Sequence, residues 1–205
     1  MKRLLLGGEG RNELGGWCDP PSYRHAPPER GVLETLLRKA APDGWEIADA
    51  VRWKDIRKYR PGGHRQAEHR NVLGLALMAR EHGLDAVVFC RDKDAETPEA
   101  EERERSVSKA IEEAKRDFKL IVVGGVAIQR LESWVLACFG TRGSERMLRA
   151  EVDRRLSEAG VDAKRTESMV RLIESADSAD LDRLPDDAHS LRTWLDEARG
   201  LAATD

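Results

Sequence analysis

Apolar and polar positions switch between two periods along this chain. Lys2-Arg3-Leu4-Leu5-Leu6 is a short apolar run closed by Gly7 and Gly8, the pattern of a strand buried on both faces, although periodicity alone does not separate it from a helix fragment. After a stretch rich in Gly, Pro and Trp, residues Val32, Leu33, Leu36, Leu37 and Ala40 recur at helical spacing and stop before Pro42, predicting an amphipathic helix. Trp45 to Trp53 alternates in polarity like a half-exposed strand, and Val72 to Ala79 followed by Gly83 predicts a helix with a glycine stop. Asp85-Ala86-Val87-Val88-Phe89-Cys90 is the clearest strand, and it runs into the acidic turn Arg91-Asp92-Lys93-Asp94. Val107, Ala110, Ile111, Ala114 and Phe118 mark the next helix, and Leu120 to Val123 a strand that is expected to end at Gly124-Gly125. Such alternation predicts an α/β fold with a Rossmann-like, mostly parallel sheet flanked by helices, whose functional groups collect at the carboxyl ends of the strands.

From Ser144 onward strand signals give way to three helical stripes: Leu148, Val152 and Leu156; Met169, Val170 and Ile173; and Leu191, Trp194, Leu195 and Ala198. The expected organisation is therefore an α/β domain over residues 1–143 and a helical C-terminal extension over 144–205, packed on that core. At 205 residues the chain suits one well-buried domain with an appendage rather than two enzymatic ones. A 40% hydrophobic and 36% charged composition fits a folded globular protein. No apolar run approaches the ~20 residues that span a bilayer, and the opening run is broken too early for a signal peptide. A cytoplasmic protein without a membrane partner is expected. Cys18, Cys90 and Cys138 are odd in number and widely spaced, which favours ordinary reduced thiols over a disulfide framework or zinc site. The net charge of -3 excludes nucleic-acid binding by bulk positive charge, so any such binding must be local.

Chemistry concentrates at two predicted strand ends. Glu9 sits in Gly7-Gly8-Glu9-Gly10, and Asp92 and Asp94 flank Lys93. Carboxylates in such turns can converge from distant stretches of chain, and clustered hard oxygens suit Mg²⁺ or Mn²⁺. Glu132 adds a third segment: in a helix expected to begin near Ala127, it shares a face with Ile128, Val135 and Phe139, an acid within an apolar stripe. It reads either as a boundary carboxylate paired with Arg130 or as an acid supporting the metal site. Arg91 and Lys93 flank the acids within reach of a scissile phosphate, unless strand alternation turns them to solvent. A second basic set, Lys58, Arg60, His64 and Arg65, surrounds Tyr59 and Gly62-Gly63, and reads either as a rim that follows a nucleic-acid backbone or as a charged exposed loop. The five tryptophans are expected to anchor the core rather than to stack bases.

Three segments together resemble the TOPRIM fold: the strand ending in Gly8-Glu9-Gly10 with Glu13 beyond it, the Val87-Val88-Phe89-Cys90-Arg91-Asp92-Lys93-Asp94 segment, and Leu131-Glu132-Ser133-Trp134-Val135-Leu136-Ala137. More narrowly, the chain is similar to a TOPRIM-like family whose members carry a Glu-Ala-Trp-Leu-Leu-Ala-type helix after the Asp-X-Asp strand. The resemblance spans most of the chain. It implies a Rossmann-like TOPRIM core and a Mg²⁺ or Mn²⁺ site on Glu9, Asp92 and Asp94, with Glu13 and Glu132 as supporting acids. It also implies phosphodiester chemistry on DNA or RNA, and a place in antiviral defence beside an ATPase subunit. Two departures stand out, Gly8 where the family carries a hydrophobic residue and Ser133 in place of Ala; neither removes a carboxylate.

The leading expectation is thus a divalent-metal-dependent nuclease that takes a nucleic-acid substrate and works with an ATPase partner or further copies of the chain. In such a site Glu9, Asp92 and Asp94 hold metal, and Glu13 or Glu132 completes the shell or orients a water. A non-catalytic adaptor with the same fold is the alternative. A phosphatase of the haloacid-dehalogenase type ranks lowest, because it expects its nucleophilic Asp at the end of the first strand, where this chain carries Glu9.

Overall fold

The computed structural model describes residues 1–57, 59, 66–93, 97–177 and 181–203. Asp94, Lys58, Arg60, His64 and Arg65, named above, lie outside these residues. Four strands form one all-parallel sheet in the order β2-β1-β3-β4: β1 (Lys2–Gly8), β2 (Trp45–Arg52), β3 (Ala86–Asp92) and β4 (Ile121–Ala127). The α/β expectation with a parallel, helix-flanked sheet holds. Between the strands run α1 (Arg11–Leu14), α2 (Val32–Ala40), α3 (Ala67–Glu81) and α4 (Pro98–Phe118), and after β4 come α5 (Leu131–Cys138), α6 (Arg149–Glu158), α7 (Thr166–Ser175) and α8 (His189–Ala203).

Period-2 alternation sorts the strand side chains onto two cores. Leu4, Leu6, Val88, Cys90 and Val123 face a core closed by α2, α5, α6, α7 and α8. Leu5, Val87, Phe89, Val122 and Val126 face a second core closed by α3 and α4. Helices on both faces explain why β1 and β3 read as continuous apolar runs. The extension over 144–205 buries Val152, Leu156, Met169, Leu191, Trp194 and Leu195 in the first of these cores. Trp45, Trp53, Trp134 and Trp194 are buried, as anchors should be. The three cysteines form no disulfide. Among the described residues no helix is long and apolar enough to cross a membrane.

Three local expectations are corrected. β4 does not stop at Gly124-Gly125 but continues to Ala127; a Cβ on Gly124 would stand 2.3 Å from the Phe89 ring, so the glycine is the gap that lets Phe89 lie against the strand. The following helix consequently begins at Leu131 rather than near Ala127, after a turn in which Gln129 takes φ +69°, and Ile128 precedes it. Leu148 is the exposed residue before α6 rather than part of its buried stripe.

Candidate functional site

In this strand order the chain leaves β1 toward β2 on one side and later crosses to β3 on the other, so the carboxyl ends of β1 and β3 meet at a topological switch point, the place where open α/β sheets leave a crevice for ligands. Glu9 follows the last residue of β1, and Asp92 is the last residue of β3. The Asp92 N–H donates to Glu9 Oε1 at 3.2 Å. Acids far apart in sequence are thereby neighbours, and both line a cavity of about 240 Å³ with Glu132, Gln129, Arg130 and Arg149.

Each acid is held by identifiable partners. Glu9 is ion-paired with Arg91, whose Nε also reaches Glu68 Oε1 at 3.3 Å. Asp92 Oδ1 accepts the Leu131 N–H at 2.9 Å, so a carboxylate satisfies a donor in the first turn of α5, where the helix dipole favours negative charge. Arg103 donates to the Asp92 and Lys93 carbonyls at 3.0 and 2.8 Å, tying the end of β3 to α4. Lys93 turns the same way and pairs with Glu104 at 2.9 Å. Neither it nor Glu13 lines the cavity.

Glu13 instead closes the turn behind Glu9. Its Oε2 accepts the Gly10 N–H at 2.9 Å, while a Cβ on Gly8 would stand 2.7 Å from the Glu13 Cβ; the glycine allows α1 to fold back this closely on the strand end. Burial raises the Glu13 carboxyl above its ordinary range, against the lowering effect of the hydrogen bond from Gly10, and the nearby charge of Glu132 adds to the rise. Glu132 is only 4% exposed. It accepts from Asn12 Nδ2 at 2.9 Å and from Arg130 Nε at 2.7 Å, and Arg130 reaches on to Asp153 at 2.8 Å. The pairing with Arg130 weighed from sequence is present, and the same carboxylate borders the cavity.

Glu9, Asp92 and Glu132 are thus brought to one cavity, and Arg91 to its edge through Glu9. Among the described residues no group of three or more acids, histidines or cysteines is arranged to hold a metal ion. Two carboxylates at a strand-end crevice nonetheless fit Mg²⁺, which keeps several waters and is commonly held by one or two carboxylates together with substrate phosphates. Arg130, Gln129, Arg149 and Asn12 escaped sequence reasoning as site residues. Only Gln129 and Arg130 carry a signal, since they lie in the strand-to-helix connection of a parallel sheet where such sites form. Compared with protein-family models, curated proteins and solved structures, the chain gives no significant match.

Proposed function

We propose that this protein is a divalent-metal-dependent, TOPRIM-like nuclease that cleaves phosphodiester bonds in DNA or RNA, with Glu9 and Asp92 as the carboxylates that hold Mg²⁺ or Mn²⁺. The observation that carries the reading is that the Asp92 backbone N–H donates to the Glu9 carboxylate across adjacent strand ends and both residues line one cavity. When bound, the cation supplies a nucleophile from water near neutral pH and charge stabilisation for the entering and leaving oxygens. The chain's own residues do the rest. Asp92 presents its oxygen donors from the paired backbone of β3, and Glu9 from the turn that follows β1. Glu13 fixes the turn that carries Glu9, Arg130 orients Glu132 at the cavity wall, and Arg149 offers a cation to a phosphate entering there. An effector role in antiviral defence beside an ATPase subunit rests on the resemblance alone.

A second reading, an adaptor of the same fold, is favoured by one observation: Glu9 and Glu132 are each already paired with an arginine. Incubating the full chain with labelled single- and double-stranded DNA and RNA in Mg²⁺, Mn²⁺ or EDTA, with and without an ATPase partner, separates the two. Metal-dependent cutting that falls at least a hundredfold in Asp92→Asn supports the nuclease, on the scale expected when a group stabilising the reacting charge is removed. The Asp92→Asn amide keeps an oxygen that can accept the Leu131 N–H, so the melting temperature of this variant should stay near wild type, whereas Asp92→Ala also loses a helix-terminal acceptor worth about 1 kcal/mol. No cutting under any of these conditions, with partner assembly intact in Glu9→Gln, favours the adaptor.

A further inference from the structure

The acidic cavity opens beside a larger cleft of about 600 Å³, and the two share Arg130, Glu132 and Arg149 along their common boundary. Asn12 closes the larger cleft where its Nδ2 donates to the Ala163 carbonyl at 3.3 Å. The C-terminal helices supply much of the remaining lining: Asp153 and Ser157 of α6, and the loop through Lys164 that leads into α7.

Its charges are not evenly engaged. Arg130 is held between Glu132 and Asp153, and Asp162 pairs with Arg165 at 3.5 Å and accepts the Lys164 backbone N–H at 2.9 Å. The acids of the wall are therefore occupied, while Arg149 and Lys164 are exposed and have no carboxylate partner among the described residues. No aromatic ring lines the cleft. A volume of this order matches a site for a small ligand or a short stretch of one strand. Exposed cations without stacking rings or a set of base-reading amides suit phosphate contacts, which position a nucleic acid without reading its sequence.

We propose that this cleft is the substrate channel of the site, taking the sugar–phosphate backbone of a single nucleic-acid strand next to the bond to be cut, with Arg149 at the boundary of the acidic cavity and Lys164 further along contacting phosphates. The inference deepens the nuclease reading and rests on it for the position of the scissile bond. It assigns the C-terminal helices a role as one wall of the channel.

The test is equilibrium binding of fluorescent mixed-sequence oligonucleotides, single-stranded DNA, single-stranded RNA and the DNA duplex, to the full chain in EDTA across a range of salt, read by anisotropy beside the cleavage assay. Wild type should bind single strands more tightly than duplex and without sequence preference. The double variant Arg149→Ala/Lys164→Ala should lose about tenfold in affinity and flatten the plot of log K against log salt by about 1.4, which is two phosphates at ~0.7 each for a single strand. The charge-keeping pair Arg149→Lys/Lys164→Arg should restore most of both, and because both side chains are exposed the variants should melt like wild type. An unchanged affinity and salt slope in the alanine pair overturns the channel even where the protein cuts, as does a wild type that binds no oligonucleotide or prefers duplex. Binding that depends on both cations without any cleavage upholds the channel and sets the nuclease reading aside.

Discussion

Glu13 is 7% exposed and carries its carboxyl group where burial works against charge, with Glu132 near enough to repel it. Its folded-state value is raised above the ordinary 4.5. Between those two values the folded chain retains a proton that the unfolded chain has released, so stability falls as pH rises through that window. Below 4.5 both states are protonated and this contribution is fully present. Glu13→Gln keeps an acceptor for the Gly10 N–H and removes the titration. Wild type should therefore compare best with the variant near pH 4 and lose ground to it as pH rises toward 8, measured as the difference in urea midpoint at each pH. A difference that is flat, or that moves the other way, would mean that burial does not raise the Glu13 carboxyl in the fold. A buried Glu13 that accepts the Gly10 N–H behind the turn suits a clamp on the Glu9 segment better than a metal ligand.

At the scale of elements, the strands and helices were legible where burial marks the sequence: as a continuous apolar run where both faces are covered, Leu4 to Leu6, and as a period of 3.6 where one face is, Val32 to Ala40. What periodicity does not encode is a glycine whose neighbour across the sheet is bulky. Gly124 and Gly125 read as a stop, yet β4 pairs with β3 through both, Phe89 opposite Gly124 and Asp92 opposite Ala127. That extra length carries the chain level with Asp92 before it turns into α5, and brings Arg130 and Glu132 to the crevice. The candidate site divides the same way. Glu9 and Asp92 were legible because a strand end can be read locally, whereas Arg149 and Lys164 reach the cleft only through the packing of α6 and α7, which no local pattern specifies. Gly124→Ala tests the element directly. Phe89 is fully buried and its ring atoms stand 2.3 to 2.8 Å from the new Cβ, so the ring must move, with an expected loss of about 1–3 kcal/mol from overpacking. Urea denaturation should show the midpoint fall with the slope preserved; an unchanged midpoint would mean that the two strands part easily there.

Across the whole molecule, the question is whether residues 144–205 form an appendage or complete the domain. α8 supplies Leu191, Trp194, Leu195 and Leu201, all at most 1% exposed, to the same core as β1 and β3. It also meets the sheet through its polar groups. Trp194 Nε1 donates to the Phe89 carbonyl at 3.0 Å, and Glu197 Oε2 accepts the Gly124 N–H at 3.1 Å. β4 is an edge strand in this sheet, and an uncovered edge invites pairing with other chains. The carboxylate of Glu197 occupies one of its donors. Each large apolar side chain contributes roughly 1.5–3 kcal/mol when buried, against a total stability of about 5–15 kcal/mol for a typical domain. Four of them are therefore comparable with the whole. A chain ending at Ala188 should lose its cooperative urea transition and its near-ultraviolet circular dichroism, and should self-associate in size-exclusion chromatography through the bared edge of β4. A monomer that keeps a cooperative transition would make α8 an ornament on a self-sufficient sheet. The loss would reach the site as well as stability, because the Asp92 strand lies between β1 and β4: whatever loosens β4 loosens the crevice in which Glu9 and Asp92 meet.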